Sequence, residues 1–118
     1  MFYQNSAKTT DFYVRNNIFY QATESGLRLG NDWTSELTMD YNFWYQSSGT
    51  MIKWLSDEYT MAQFWAYQHD KGKDKHSATG DPLFIDEKNL DFRPKAGSPV
   101  CNMSEKGSYV GALPCKKD

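Results

Sequence analysis

The segment Asn17-Ile18-Phe19-Tyr20-Gln21 returns twenty-five residues later as Asn42-Phe43-Trp44-Tyr45-Gln46. A fixed period of this size is the sequence signature of a stacked repeat. The offset extends past the five-residue match, because it also sets Val14 over Met39, Leu27 over Ile52 and Leu29 over Trp54. If copies stack as parallel strands about 4.8 Å apart, each residue lies over its own counterpart and apolar covers apolar. The repeat predicts an all-β chain, folded as a short right-handed parallel β-helix of about three coils.

Repeats of this kind bury their apolar faces only against neighbours, and 118 residues allow one domain with a modest core. The chain is therefore expected to end its stack with a cap. Aromatic residues make up 16% of it against 39% apolar in total, so the core is expected to be largely aromatic. Thirteen Lys and Arg against fifteen Asp and Glu give a formal charge of −2, with no basic run able to track a phosphate backbone. That excludes nucleic acid as an expected partner. No apolar run reaches the roughly 18 residues of a membrane span, and the opening Met1-Phe2-Tyr3-Gln4-Asn5 lacks the basic and apolar regions of a signal peptide. The expectation is a soluble chain with no membrane partner.

Three segments follow. Residues 1–58 hold the repeat coils, 59–72 a flanking helix, and 81–118 the last coil and a loop-rich cap. In the first copy Val14, Asn16, Ile18 and Tyr20 are the expected inner face, with Asn17 at a left-handed bend between two short strands. Phe2-Tyr3-Gln4 echoes Phe19-Tyr20-Gln21, as though a coil began before the first full copy. Asn31-Asp32 is an expected turn, after which residues 36–45 repeat the scheme. Thr60 and Gln63 have capping-box spacing, and Met61, Phe64, Trp65 and Tyr67 have the spacing of an amphipathic helix ending near residues 69–72. Residues 70–75, Asp-Lys-Gly-Lys-Asp-Lys, read as an exposed loop. Cys101 and Cys115 could close a 15-residue ring, worth about 3 kcal/mol in the chain-entropy picture if oxidised. Two free thiols are the alternative.

Read in order, Asn16-Asn17-Ile18-Phe19-Tyr20, the helix around Phe64-Trp65, Asp81-Pro82-Leu83-Phe84-Ile85-Asp86, Asp91-Phe92-Arg93 and Gly97-Ser98-Pro99 resemble the C-terminal coils of right-handed parallel β-helix proteins of the pectate-lyase-like superfamily. Asp74 to Ser77 resembles the loop before the Asp-Pro-Leu-Phe run. Tyr109-Val110-Gly111-Ala112 resembles a common ending of such chains, with Tyr109 in place of an acidic residue. The resemblance implies a β-helix fold, a carbohydrate-associated ancestry and an extracellular or periplasmic setting. The middle coils, where the family's catalytic groups lie, have no counterpart here, so no catalytic residue is carried over.

Several constellations remain. Arg15 and Asp40 are one period apart, so stacking predicts a cross-coil ion pair on the outer face. Phe19 and Trp44 are also equivalent. Were they outward they would form an aromatic platform for a sugar ring, with Arg15 and Asp40 beside it; the favoured reading has the helix around Phe64 and Trp65 covering them. His69 and His76 read as parts of a solvated loop. Asp81, Asp86, Glu87 and Asp91 do not match an EF-hand spacing and read as turn residues bonded locally. No metal or cofactor is expected. An open first coil exposes strand edges and apolar side chains, which predicts a homodimer formed through Phe2, Tyr3, Phe12, Val14 and Ile18, unless Met1 to Asn5 fold over the end. The function that follows is a non-catalytic structural or interaction module with weak oligosaccharide affinity. The alternative is a carbohydrate-active enzyme, a polysaccharide lyase or glycosidase, favoured by a cleft rimmed by Arg15, Asp40 and Lys53.

Overall fold

The repeat offset sets the strand register. The computed structural model describes residues 2–4, 12–22, 24–29 and 37–116, with the side chains of residues 2–4, 12 and 29 outside that description. Strands β1 (Phe2–Gln4), β4 (Leu27–Leu29) and β7 (Ile52–Trp54) pair in parallel, Phe2 opposite Leu27 and Leu27 opposite Ile52. Likewise β2 (Phe12–Arg15) lies on β5 (Leu37–Asp40), and β3 (Ile18–Tyr20) on β6 (Phe43–Tyr45), with Val14 opposite Met39 and Phe19 opposite Trp44. The opening strand is thus a copy of the Leu27 strand, not of the Phe19-Tyr20-Gln21 segment whose letters it echoes. The expected Asn31-Asp32 turn and the Met1 to Asn5 cap fall partly or wholly outside the described residues.

The stack does not continue into a solenoid, which corrects the expected three-coil parallel β-helix. The described strands form four small separate sheets: β1-β4-β7 with β8 (Asp57–Tyr59), β3-β6 with β9 (Ala78–Thr79), β2-β5, and the pair β10 (Phe84–Asp86) and β11 (Asp91–Pro94). After β7 the chain reverses through Leu55, at φ 56°, and β8 (Asp57–Tyr59) returns antiparallel along it, occupying the edge a third coil would need. The free side of β5 meets a loop: the Asp74 N–H donates to the Met39 carbonyl at 2.9 Å, and Lys73 Nζ to the Leu37 carbonyl at 2.7 Å. Of β5, β6 and β7, only β6 gains a further parallel strand on its free side, the two-residue β9 (Ala78–Thr79). The antiparallel pair β10 (Phe84–Asp86) and β11 (Asp91–Pro94) completes the set. The result is a mixed α/β globule in which two repeat copies are closed off by non-repeating chain.

Inward and outward faces also differ from expectation, for one local reason. The left-handed residues are Asn16 (φ 60°) and its equivalent Tyr41 (φ 56°), one position earlier than the predicted bend at Asn17. A one-residue shift in a period-2 pattern exchanges the two faces. Phe19 and Trp44 therefore turn inward, with ring centroids 4.1 Å apart at 14°. They join the main cluster with Val14, Leu27, Met39, Ile52 and Trp54. Ile18 and Phe43 point to a second cluster with Val100 and Val110 of the C-terminal segment. Close approach there needs a glycine: a Cβ on Gly111, at φ 95°, would lie 2.7 Å from Ile18 Cδ1.

A 3-10 turn (Met61–Gln63) leads into α1 (Phe64–Lys71). The Thr60 N–H donates to Gln63 Oε1 at 3.0 Å, as the capping-box spacing predicts. The helix ends at Gly72, at φ 63°, whose N–H donates to the Gln68 carbonyl. Phe64 and Tyr67 are buried, whereas Trp65 is 71% exposed and takes no part in the face predicted for it. Beyond the helix, the segment expected to be wholly solvated holds the most enclosed carboxylate among the described residues. Asp74 is 0% exposed. It accepts hydrogen bonds from Tyr67 Oη at 2.6 Å, Ser77 Oγ at 2.6 Å and Asn42 Nδ2 at 3.0 Å. Removing one partner of a buried polar set leaves the others unpaired, at about 1–3 kcal/mol per group. Tyr67→Phe should therefore cost about 1–2 kcal/mol and Asp74→Ala on the order of 3 kcal/mol or more, measured by urea denaturation.

Candidate functional site

The residues singled out from the sequence separate in the structure. Arg15 and Asp40 are opposite each other in β2 and β5, yet neither takes the other as partner. Arg15 Nη1 reaches Glu105 Oε2 at 2.7 Å, an exposed pair that fastens the C-terminal segment to β2. Asp40 turns to the loop after α1: its Oδ2 lies 2.6 Å from His76 Nδ1, and its Oδ1 accepts from the His76 N–H at 2.6 Å and the Tyr41 N–H at 2.9 Å. Tyr41 stacks on the His76 ring, centroids 4.9 Å apart. Burial pushes the Asp40 carboxyl up, but the hydrogen bonds from His76 and Tyr41 outweigh it and leave its pKa below the usual value. Lys53 lies on another sheet, in a polar hollow of about 270 Å³ with Glu24, Arg28, Thr50 and Glu58. The cleft of Arg15, Asp40 and Lys53 that would favour an enzyme is not assembled.

Trp44 is fully buried. Gly26 lies against it, a Cβ there falling 3.0 Å from the indole ring, and Phe64 packs at 6.4 Å between centroids. It offers no face to a ligand, which corrects the outward platform and agrees with coverage by the helix. The Trp44 Nε1–H makes no well-formed hydrogen bond, though the indole adds a weak pull that favours the Asp74 charge. Burial pushes Asp74 up more strongly than the bonds from Ser77, Tyr67 and Asn42 hold it down. Burial and the adjacent carboxylate push the Tyr67 phenol well above its ordinary value. Among the described residues no three His, Cys, Asp or Glu side chains converge as a metal site. Asp81 accepts from the Leu83 N–H and Asp86 from Asn89, each within its own turn, and Asp91 accepts from Arg93 two residues along β11. Cys101 and Cys115 form a disulfide. No described helix is long and apolar enough to cross a membrane.

A second concavity is larger and lined in part by aromatic rings. A cavity of about 460 Å³ lies between β3 and the C-terminal segment, lined by Asn17, Phe19, Tyr20, Phe84, Phe92 and Leu113 among others. Volumes of about 300–1,000 Å³ are typical of small-molecule sites. Its rings brace one another: Tyr20 lies on Tyr45 at 5.3 Å and meets Phe84 edge-on at 4.9 Å, and Phe84 meets Phe92 edge-on at 5.4 Å. Of the residues predicted to touch a ligand only Phe19 lines this cavity. Phe84, Phe92 and Leu113 were visible as apolar residues in polar, turn-rich surroundings, but no spacing connects them to Phe19. Of the predicted association residues, Val14 is core and Ile18 half-buried in the second cluster, while the side chains of Phe2, Tyr3 and Phe12 lie outside the described residues.

No family model matches the chain, and neither does any curated protein or solved structure compared with it. Nothing in those comparisons bears on the pectate-lyase-like resemblance.

The two cross-segment pairs predict opposite outcomes. Arg15→Ala should change stability by no more than about 0.5 kcal/mol, because the Glu105 pair is exposed. Asp40 differs, since its folded pKa lies below its unfolded one. Its stabilisation is present above the unfolded value of about 3.9 and is lost as pH falls through the folded value. Asp40→Asn should lower the urea midpoint at neutral pH, and its difference from the parent should shrink steadily below about pH 4.

Proposed function

We propose that the protein is a non-catalytic interaction module that self-associates by strand addition at the edge formed by β2 and β3. The observation that carries this reading is the position of those strands. Each is the last in its sheet, and among the described residues no strand lies on its outer side. Such an edge presents unpaired backbone groups to another chain.

The chemistry of the edge supports a second copy as the occupant. Two rows of the β3–β6 ladder pair like with like, Phe19 on Trp44 and Tyr20 on Tyr45. The rows end at the first copy, where Phe84 meets Tyr20 edge-on, so the backbone edge rather than the ring faces is what stays open to a second copy. A two-fold contact would bring the same patch of each copy together. Contact through backbone and Tyr13, 62% exposed, fits better than contact through Val14, which faces inward. The non-catalytic part of the proposal is supported by the carboxylates. Asp74 and Asp40 spend their acceptor capacity on structural donors.

Light scattering across a dilution series tests this. A dimer persisting at low micromolar concentration supports the proposal, as does its weakening in Tyr13→Lys, which places a charge on the edge. A monomer at every concentration overturns it.

A further inference from the structure

We infer that the cavity beside β3 is a docking groove for an extended peptide that adds to β3 as a further strand, with apolar side chains against the aromatic walls and a Lys or Arg at the Tyr20 end. The inference shares with self-association only the open backbone edge. A folded second copy meets that edge at Tyr13 on β2, whereas the peptide enters the walled part beside β3.

The direction of the β3 main chain carries the inference. The Phe43 N–H donates to the Asn17 carbonyl at 2.8 Å, and the Gln21 N–H donates to the Tyr45 carbonyl at 2.8 Å. Along a strand the main-chain groups of successive residues point to alternate sides, so with Asn17 and Gln21 facing β6 the groups of Ile18 and Tyr20 face away from it. Both residues line the cavity. The position of the space agrees: Ile18 packs against the outer cluster and Phe19 against the main core, on opposite faces of the strand, yet both border this one cavity. A space bordered from both faces lies off the strand's edge. Among the described residues no strand occupies that side of β3. Main-chain pairing is already in use beside it, where the Gly111 N–H donates to the Asn16 carbonyl at 2.8 Å.

The walls limit the occupant to one unfolded strand. The three residues of β3 span about 10 Å, and the far side is closed by Phe84, Phe92, Pro94 and Leu113. A folded sheet edge brings flanking chain with it, for which these walls leave no room. They are also in place before a ligand arrives: Phe84 meets Tyr20 and Phe92 edge-on, and the Cys101–Cys115 disulfide closes the loop that carries Gly111 and Leu113. A pre-formed wall costs little ordering on binding. The mixed lining suits a peptide, because the rings take its apolar side chains and the outward groups of Ile18 and Tyr20 take its main chain. Charge sets the end residue. Burial, then Glu87 and Asp81, push the Tyr20 phenol above its ordinary value, so these carboxylates place a negative field at that end of the groove. A cation on the peptide offsets this field, and an acidic residue is repelled by it.

The test is an NMR titration of the full chain with three terminally blocked peptides: Thr-Val-Phe-Lys-Thr, the same peptide with Glu in place of Lys, and the Lys peptide with its main-chain amides N-methylated. The expected result is saturable downfield shifts of the Ile18 and Tyr20 amide protons with the Lys peptide and loss of binding on N-methylation. Binding should be about fivefold weaker for the Glu peptide and about fivefold weaker in Phe92→Ala. Phe92 is 40% exposed, so that variant should remain folded. Equal binding of the Glu peptide would overturn the charge assignment and with it the inference. Undiminished binding of the N-methylated peptide would show a cavity that takes apolar guests and would overturn strand addition. No shift with any peptide would overturn the site itself. Light scattering on the same samples reads self-association separately: a monomer that takes the peptide removes the dimer and keeps this inference, and a dimer whose Ile18 and Tyr20 amides ignore excess peptide removes this inference alone.

Discussion

The buried carboxylate of Asp74 is the contact through which the separate parts of this protein meet. Through Asn42 it reaches the bend of the second repeat copy, and Asn42 in turn donates to the Val14 carbonyl of the first at 2.9 Å. Through Tyr67 it holds the helix, and through Ser77 the start of the strand that extends β6. Gln68 Nε2 adds a bond to the Asp74 carbonyl at 2.7 Å. A carboxylate with no exposure costs heavily unless its acceptors are filled, and here three side-chain donors fill them. The same loop lies along the edge of β5, so the residue that anchors the helix also ends the repeat.

This arrangement explains why the parallel register was legible in the sequence and the architecture was not. Like-on-like pairing at a 25-residue offset is written in the letters, and Val14 opposite Met39 or Leu27 opposite Ile52 could be read from them. What stops the stack is not periodic. The reversal at Leu55 depends on a single residue in a left-handed conformation, which leucine rarely adopts and no composition signal announces. The burial of Asp74 was hidden for the opposite reason. Five charged residues in 70–75 suggest solvent, and only the three-dimensional meeting of Tyr67, Asn42 and Ser77 makes a dry site for one of them, Asp74.

Most of the candidate site was illegible for the same physical reason, the position of one bend. Moving the left-handed residue from Asn17 to Asn16 turns Phe19 and Trp44 from surface to interior. Trp44 becomes core, and Phe19, at the end of the ladder, becomes a cavity wall. The facing walls, Phe84, Phe92 and Leu113 among them, come from residues more than sixty positions away. Their contact with β3 is made by tertiary packing around Val100, Val110 and Ile18, and local patterning carries no trace of it. The pairing of Arg15 with Glu105 and of Asp40 with His76 is likewise decided by the non-repeating chain. Equivalent positions supply the two charges, but the segments that pack over them supply the partners.

The central claim, that Asp74 is dry and fully bonded, is tested most directly by the hydroxyl proton of Tyr67. A phenol donating to a buried carboxylate at 2.6 Å should exchange slowly with water and give a resolved, strongly downfield proton resonance at neutral pH. That resonance should be absent in Tyr67→Phe. A Tyr67 hydroxyl in fast exchange with solvent, in a folded protein, would mean that water reaches Asp74 and would contradict the account.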